Sequence, residues 1–213
     1  MSEPLNRLTA VAALLRRDNI DTDAIIPSRE MKSTGKTGLA DGLFAGWRYR
    51  DIGGREPDPD FILNAASQLG TKILISGSNF GCGSSREHAV WALAEYGVRV
   101  IIAPSFAPIF AANCVRNGVL CAKIDAHLID DIARYVTVDP QTSQLSVDLS
   151  TQTVTAHSGE IWSFPLDPEA KSMLIEGLDA IDLTLKHRLE ITKFHARDLG
   201  SRPWVYWGGP NGR

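Results

Sequence analysis

The sequence predicts an α/β domain built on a mostly parallel sheet, with a β-hairpin and helices added toward its C-terminal end. Two observations carry that prediction. Three short apolar runs rich in β-branched residues, at 73–75, 98–103 and 119–122, are separated by helical patterns, and such strand–helix–strand succession builds parallel sheets. Further on, residues 145–149 and 153–156 alternate apolar and polar side chains with period two, the pattern of a half-buried hairpin. At 213 residues the chain suits one domain over 1–200, with 201–213 as a flexible or partner-contacting tail.

In chain order, residues 8–15 are apolar, with no periodicity that separates strand from helix. Residues 18–27, DNIDTDAIIP, crowd three acids and an asparagine together but lack the EF-hand glycine and terminal glutamate, so calcium is not indicated. They read as a turn leading into a short strand at 24–26, with Asp21 and Asp23 either turn formers or site residues. Residues 28–42 are polar, glycine-bearing and aperiodic, which predicts a flexible loop of about fifteen residues, a length typical of binding loops. Within it Arg29, Lys32 and Lys36 either close on an anionic substrate or stay solvated. The aromatic patch at 43–49, LFAGWRY, packs on the core or on a partner.

After the strand at 73–75 a helix is expected from Ser85. The strand at 98–103 is stopped by Pro104, a helix follows at 106–115, and Gly118 supplies the left-handed stop before the next strand. A short helix at 128–135 precedes the hairpin, and 161–164 adds a third strand to it. The pattern then predicts a helix at 168–175 ended by Gly177, and one charged amphipathic helix over 183–195.

The chemistry concentrates in 73–93, ILISGSNFGCGSSREHAVWAL. Gly77, Gly81 and Gly83 break the strand and permit positive φ or close approach of a ligand. Ser84 or Ser85 is expected to cap the helix, with Glu87 in its first turn. Helix N–H groups, two hydroxyls and the Arg86 guanidinium then converge on a receptor for a carboxylate or phosphate. The competing reading is a tight turn, capping serines and a solvated Arg86. No P-loop is present, and Arg86 occupies the place of the last glycine of a dinucleotide fingerprint.

Composition narrows the function classes. A net charge of −3 makes no electrostatic case for nucleic acid or an acidic membrane. No apolar run approaches the roughly 18 residues of a membrane span, and the N-terminus lacks the pattern of a secretory signal, so cytoplasm is expected. Cys82, Cys114 and Cys121 contain no C-x-x-C pair, which argues against a disulfide framework and against a zinc or iron–sulfur site held by this chain alone. Cys82 reads as a nucleophile or, more simply, as a small buried thiol.

Taken together, DTDAIIP at 21–27, LFAGWRY at 43–49, PDPDF at 57–61, FGCGSSREHA at 80–89, IAPSF at 102–106 and GLD at 177–179 resemble the small subunits of 3-isopropylmalate dehydratase, the leucine-pathway branch of the aconitase family. The resemblance implies a separately encoded aconitase-type swivelling domain with layered β/β/α architecture. It implies a heterodimer or heterotetramer with a large subunit that carries a [4Fe-4S] cluster, no metal ligand in this chain, and a hydroxy-diacid substrate. The reaction implied is isomerisation of 2-isopropylmalate to 3-isopropylmalate by dehydration and rehydration.

Residue by residue, Ser84 matches the serine that acts as base, Arg86 the arginine that binds a substrate carboxylate, and Ser85 its neighbouring donor. Asp23 matches an acid expected to orient Ser84, Arg86 or a water, and Glu87 and His88 are assigned supporting roles. Lys32 and Lys36 fall in the loop that reads the substrate's side group in this family. Two departures occur there: Glu30 stands where an apolar or aromatic residue is expected, and Lys36-Thr37-Gly38 where Arg-Thr-Gly is expected. The alternatives are therefore a related hydro-lyase acting on methylmalate, dimethylmalate or homoaconitate, and, in another class, a non-catalytic anion-binding module.

Overall fold

The computed structural model describes residues 3–31 and 35–206. One mixed sheet runs in the order β4-β3-β2-β1-β5-β6-β7. Strands β1 (Arg7–Leu15), β2 (Thr71–Ser76), β3 (Val100–Ala103) and β4 (Leu120–Lys123) are parallel. On the other edge of β1, β5 (Leu145–Asp148), β6 (Thr153–Ala156) and β7 (Ile161–Ser163) continue antiparallel. The helices are α1 (Thr22–Ile25), α2 (Ala45–Arg48), α3 (Glu87–Tyr96), α4 (Pro108–Arg116), α5 (Ala126–Val136), α6 (Pro168–Glu176), α7 (Ala180–Leu185) and α8 (Arg188–Ser201).

The parallel half and the hairpin with its third strand lie where the sequence predicts them. The segment the pattern left open, 8–15, is the pivot strand β1, paired with β2 on one side and β5 on the other. Its consecutive residues Ala10, Val11, Ala12 and Ala13 are all buried. A strand covered on both faces has no polar side to alternate with, which is why it showed no period.

Side chains of β2 and β3 alternate between two cores. Leu74, Ile101 and Ala103 face a core completed by Ala89, Val90 and Leu93 of α3 and Phe110 and Cys114 of α4. Ile73, Ile75, Val100 and Ile102 face the other, completed by Ile129 and Ile132 of α5, Leu174 of α6 and the apolar face of β5–β7. The aromatic patch at 43–49 belongs to the first core. Phe44 is fully buried, stacked on Trp47 at 5.7 Å and 6.0 Å from Phe61.

Three expectations are corrected. Residues 24–26 do not form a strand: Thr22–Ile25 is a helical turn because the Asp21 carboxylate accepts the Ala24 N–H at 2.7 Å and caps it. The predicted helix at 183–195 is two, since Asp179 and Asp182 close a capping box on α7 and a fresh helix starts at Arg188. Nor is α8 amphipathic toward the core, because Asp198 is its one buried residue. The helix expected from Ser85 begins at Glu87, with Arg86 extended at its cap.

The loop at 28–42 is packed where it is described. Short 3-10 turns occupy Ser28–Glu30 and Ala40–Gly42, Leu39 is buried, and the buried Glu30 is paired with Arg55 at 2.6 Å. Lys32, and residues 207–213 of the expected tail, lie outside the described residues.

Candidate active site

The carboxyl ends of β1, β2 and β3 point the same way, and the loops leaving them build one site, as at the strand ends of other open α/β sheets. The acidic segment after β1 is zipped along the glycine loop after β2. Asp18 Oδ1 accepts the Ser78 N–H at 2.6 Å, the Asn19 N–H donates to Ser78 O at 2.8 Å, and the Gly81 N–H donates to Ile20 O at 2.7 Å. Next, the Thr22 N–H donates to Cys82 O at 2.9 Å and its hydroxyl to Ser84 O at 2.8 Å. The loop after β3 joins through the Phe80 N–H to Ser105 O at 3.1 Å and the Ala107 N–H to Phe80 O at 3.0 Å. Two motifs 60 residues apart in sequence are thus one backbone unit.

Glycine is required at Gly77, where a Cβ would lie 2.6 Å from Arg17 O, and at two further points of the loop. A Cβ on Gly81 would meet the Phe110 ring, with Cδ2 2.6 Å away and other ring atoms closer, and φ there is +76°. Gly83, at φ +86°, turns the chain so that Ser84 and Ser85 stand exposed at its tip.

With the Ser84 carbonyl tied to Thr22 and Arg86 extended (φ −126°, ψ 111°), the chain enters α3 two residues later than the pattern predicts, and neither serine caps it. No side chain caps α3 at all. The Ala89 N–H donates to Arg86 O at 3.3 Å, which leaves the N–H groups of Glu87 and His88, at the positive end of the helix dipole, as the uncapped donors of the first turn. Among the described residues no hydrogen-bond partner holds the Ser84 hydroxyl.

Arg86 forms an ion pair with Asp23, from the other loop. The pair is partly exposed, so it adds little stability, and its consequence is to aim the guanidinium. Beside it lies a cavity of about 230 Å³ whose wall includes Gly83, Ser84, Ser85, Arg86, Phe110 and Asn113. The structure therefore brings together Ser84, Ser85, Arg86 and Asp23.

Lys36 is placed elsewhere. Its Nζ lies 3.2 Å from Asn117 Oδ1 and 5.4 Å from the Trp91 ring centre, on a separate cavity of about 420 Å³. Glu95 anchors this end of the loop, accepting the N–H groups of Gly38, Leu39 and Ala40 at 2.6, 2.5 and 2.9 Å. Burial works against the Glu95 carboxylate, but the three N–H donors outweigh it and hold the group below the usual carboxylate range.

Glu87 accepts a hydrogen bond from Asn117 Nδ2 at 3.0 Å, and His88 packs on Trp91, so both brace α3. Sequence reasoning missed Thr22, Glu95, Asn113 and Asn117. Thr22 sits inside the acidic motif and so had a signal, Asn117 reads only as part of the turn at Gly118, and Glu95 and Asn113 look like ordinary helix residues until the loops are folded against them.

Cys82 stands apart from the other two thiols. Cys82 is partly exposed in the loop rather than buried, and Cys114 is buried against Cys121, its thiol pushed well above the usual value by burial and by that neighbour. Among the described residues no group of three or more His, Cys, Asp or Glu side chains is placed to hold a metal ion, and no helix is long and apolar enough to cross a membrane.

The family model described as Aconitase C-terminal domain matches residues 2–127, and one described as LeuD_N matches residues 134–168. The 3-isopropylmalate dehydratase small subunit of Cupriavidus necator is 51% identical over 207 residues, covering 97% of this chain and 100% of that protein. The protein of the same name from Magnetococcus marinus is 46% identical over 211 residues, covering 96% and 99%. The crystal structure of a 3-isopropylmalate dehydratase from Methanocaldococcus jannaschii superposes with a TM-score of 0.61 at 24% identity, covering 88% of this chain and 98% of that one, which shows a shared fold. Full-length identity near one half, on a chain whose two motifs close a single loop unit around Ser84 and Arg86, shows that this protein belongs to the small-subunit family of 3-isopropylmalate dehydratase within the aconitase family.

Proposed function

We propose that the chain works with a large subunit to interconvert 2-isopropylmalate and 3-isopropylmalate by dehydration and rehydration. The observation that carries the proposal is the uncapped N-terminus of α3 facing Ser84, with Arg86 aimed by Asp23 beside it. A malate derivative offers two carboxylates, and the reaction removes a proton from the carbon next to one of them.

Ser84 takes that proton. A serine hydroxyl is a very weak base, so its anion needs an electrostatic partner. The α3 N–H groups and the Arg86 guanidinium supply one. Arg86 and Ser85 bind the carboxylate, and Asp23 orients the guanidinium through its ion pair. The family resemblance assigns an iron–sulfur cluster to the large subunit, where it would supply Lewis acidity toward the substrate hydroxyl, and among the described residues of this chain no three metal-ligating side chains are placed together.

The test is co-expression with the large subunit and anaerobic assay of alkene formation, by ultraviolet absorbance, from a panel of 2- and 3-alkylmalates. Turnover of isopropylmalate is expected, with kcat lowered about 10²- to 10⁴-fold in Ser84→Ala, the range for loss of a general base. Arg86→Lys should lower kcat/KM about 10- to 100-fold, because an ammonium cannot reproduce the two-pronged contact. Turnover confined to methylmalate, dimethylmalate or homoaconitate would keep the chemistry and change the substrate. No turnover of any of them with a cluster-loaded large subunit would refute the proposal.

A further inference from the structure

Helix α4 buries Phe110, Asn113 and Cys114, the i, i+3, i+4 spacing of one helix face. Phe110 and Cys114 belong to the first core. Asn113 is an amide at an apolar station, only 9% exposed. Burying an amide is costly unless hydrogen bonds replace those it made to water.

Nearby polar groups have such partners. The Asn113 carbonyl accepts the Asn117 N–H at 3.2 Å and Asn117 Nδ2 at 2.9 Å, and Asn117 Oδ1 accepts Trp91 Nε1 at 3.1 Å. The Asn113 side chain differs. Among the described residues no hydrogen-bond partner holds its nitrogen or its oxygen. Nor is the amide sealed in, because no fully enclosed side-chain nitrogen or oxygen among those residues is left without a partner. It therefore opens onto free space, and that space is the Ser84 cavity, whose wall it joins.

The other residues that α4 gives this wall are Pro108, Ile109 and Phe110, so Asn113 is the one polar side chain the helix turns to the cavity. The glycine loop brings Ser84, Ser85 and Arg86 to the same space. At about 230 Å³ the cavity is several times the share of one water, about 30 Å³, and suits a group of an organic ligand.

We propose that Asn113 is a substrate-binding residue whose Nδ2 donates to the carboxylate held by Arg86. The inference rests on the reading of this chain as a dehydratase subunit. An ionised carboxylate offers about four acceptor positions and a two-pronged guanidinium fills two, which leaves oxygen lone pairs for a further donor. A neutral amide strengthens the hold on the anion without setting a second positive charge beside Arg86, whose pair with Asp23 stays intact.

The experiment uses the full-length chain assembled with its cluster-loaded large subunit, in a Ser84→Ala background so that 2-isopropylmalate binds without turnover. Calorimetry then gives Kd with Asn113 present, with Asn113→Leu and with Asn113→Asp. Leucine keeps the branched shape and removes the donor, whereas aspartate keeps the shape and opposes the anion. Kd should rise about 10- to 100-fold for Asn113→Leu, the loss of one hydrogen bond to a charged group, and at least as much for Asn113→Asp. With Ser84 intact, kcat/KM for 2-isopropylmalate should fall by a similar factor in Asn113→Leu. The Tm of that variant should stay at or above wild type, since no bond within the fold is lost and leucine is the better helix former. A crystal structure of the Ser84→Ala complex with 2-isopropylmalate should place Nδ2 about 2.7–3.2 Å from a carboxylate oxygen, a readout that needs no change at Asn113.

Wild-type Kd in Asn113→Leu, with or without a loss of Tm, overturns the assignment and leaves the dehydratase reading standing. So does a complex in which the Asn113 amide is bonded only to water or to its own chain. A wild-type complex that neither binds nor turns over any 2- or 3-alkylmalate overturns both.

Discussion

Gly81→Ala should cost about 2–5 kcal/mol of folding stability, and the structure divides that cost into two separable parts. At φ +76° an alanine pays the left-handed penalty, about 1–2 kcal/mol. Its methyl group would also enter the Phe110 ring, and overpacking a filled core costs about 1–3 kcal/mol more. In a domain of some 200 residues each kcal/mol is worth roughly 2–4 °C, so Tm should fall by roughly 4–20 °C.

Thermal and urea unfolding of the full chain measure the total, and Phe110→Ala resolves its parts. Alone, Phe110→Ala removes a buried ring and should cost about 3–5 kcal/mol. In the Gly81→Ala background it also removes the clash. The double variant should therefore be more stable than the sum of the singles by about 1–3 kcal/mol, while the left-handed part persists. A Gly81→Ala change within about 0.5 kcal/mol of wild type, or a cycle with no coupling, would show that the loop does not pass this close to α4.

Three further outcomes follow from the same geometry. Glu95 is held below the usual carboxylate range, so its stabilising contribution is complete above that range and fades as pH falls through the folded value. The stability difference between wild type and Glu95→Gln should accordingly be present at pH 7, under about 1 kcal/mol for so exposed a group, shrink as pH falls below the ordinary glutamate value of about 4.3, and vanish only once pH is below the depressed folded value. Asp21→Ala removes the cap of α1 and should cost about 1 kcal/mol in urea unfolding, with Asp21→Asn recovering most of it. Alkylation of the native chain, mapped by mass spectrometry, should label the partly exposed Cys82 and Cys121 before Cys114, which stays unmodified until unfolding because its thiol is both buried and held protonated.

The departures in the substrate loop gain a physical reading. Glu30, where an apolar residue is expected, is not a solvated charge: it is buried and paired with Arg55 at 2.6 Å and Arg29 at 3.4 Å. A buried carboxylate is stable only with such partners. Arg29, read from sequence as a possible substrate contact, is thus engaged within the fold.

Local pattern was sufficient wherever one residue's neighbours in sequence are also its neighbours in space. The three parallel strands after the first, the hairpin with its third strand, and the stops at Gly118 and Gly177 are all of that kind. So were the chemical identities of Ser84, Ser85, Arg86 and Asp23, since the motifs that hold them are contiguous. Tertiary contacts decided the rest. The strand β1 has no period because both its faces are covered, and Thr22–Ile25 is helical because Asp21 caps it. The serines do not cap α3 because Thr22, from a loop 62 residues away, holds the Ser84 carbonyl. What the chain contains for chemistry was legible in its order of residues; that the helix end stays open, with Asp23 turned toward Arg86, depends on hydrogen bonds and packing between segments that no local window contains.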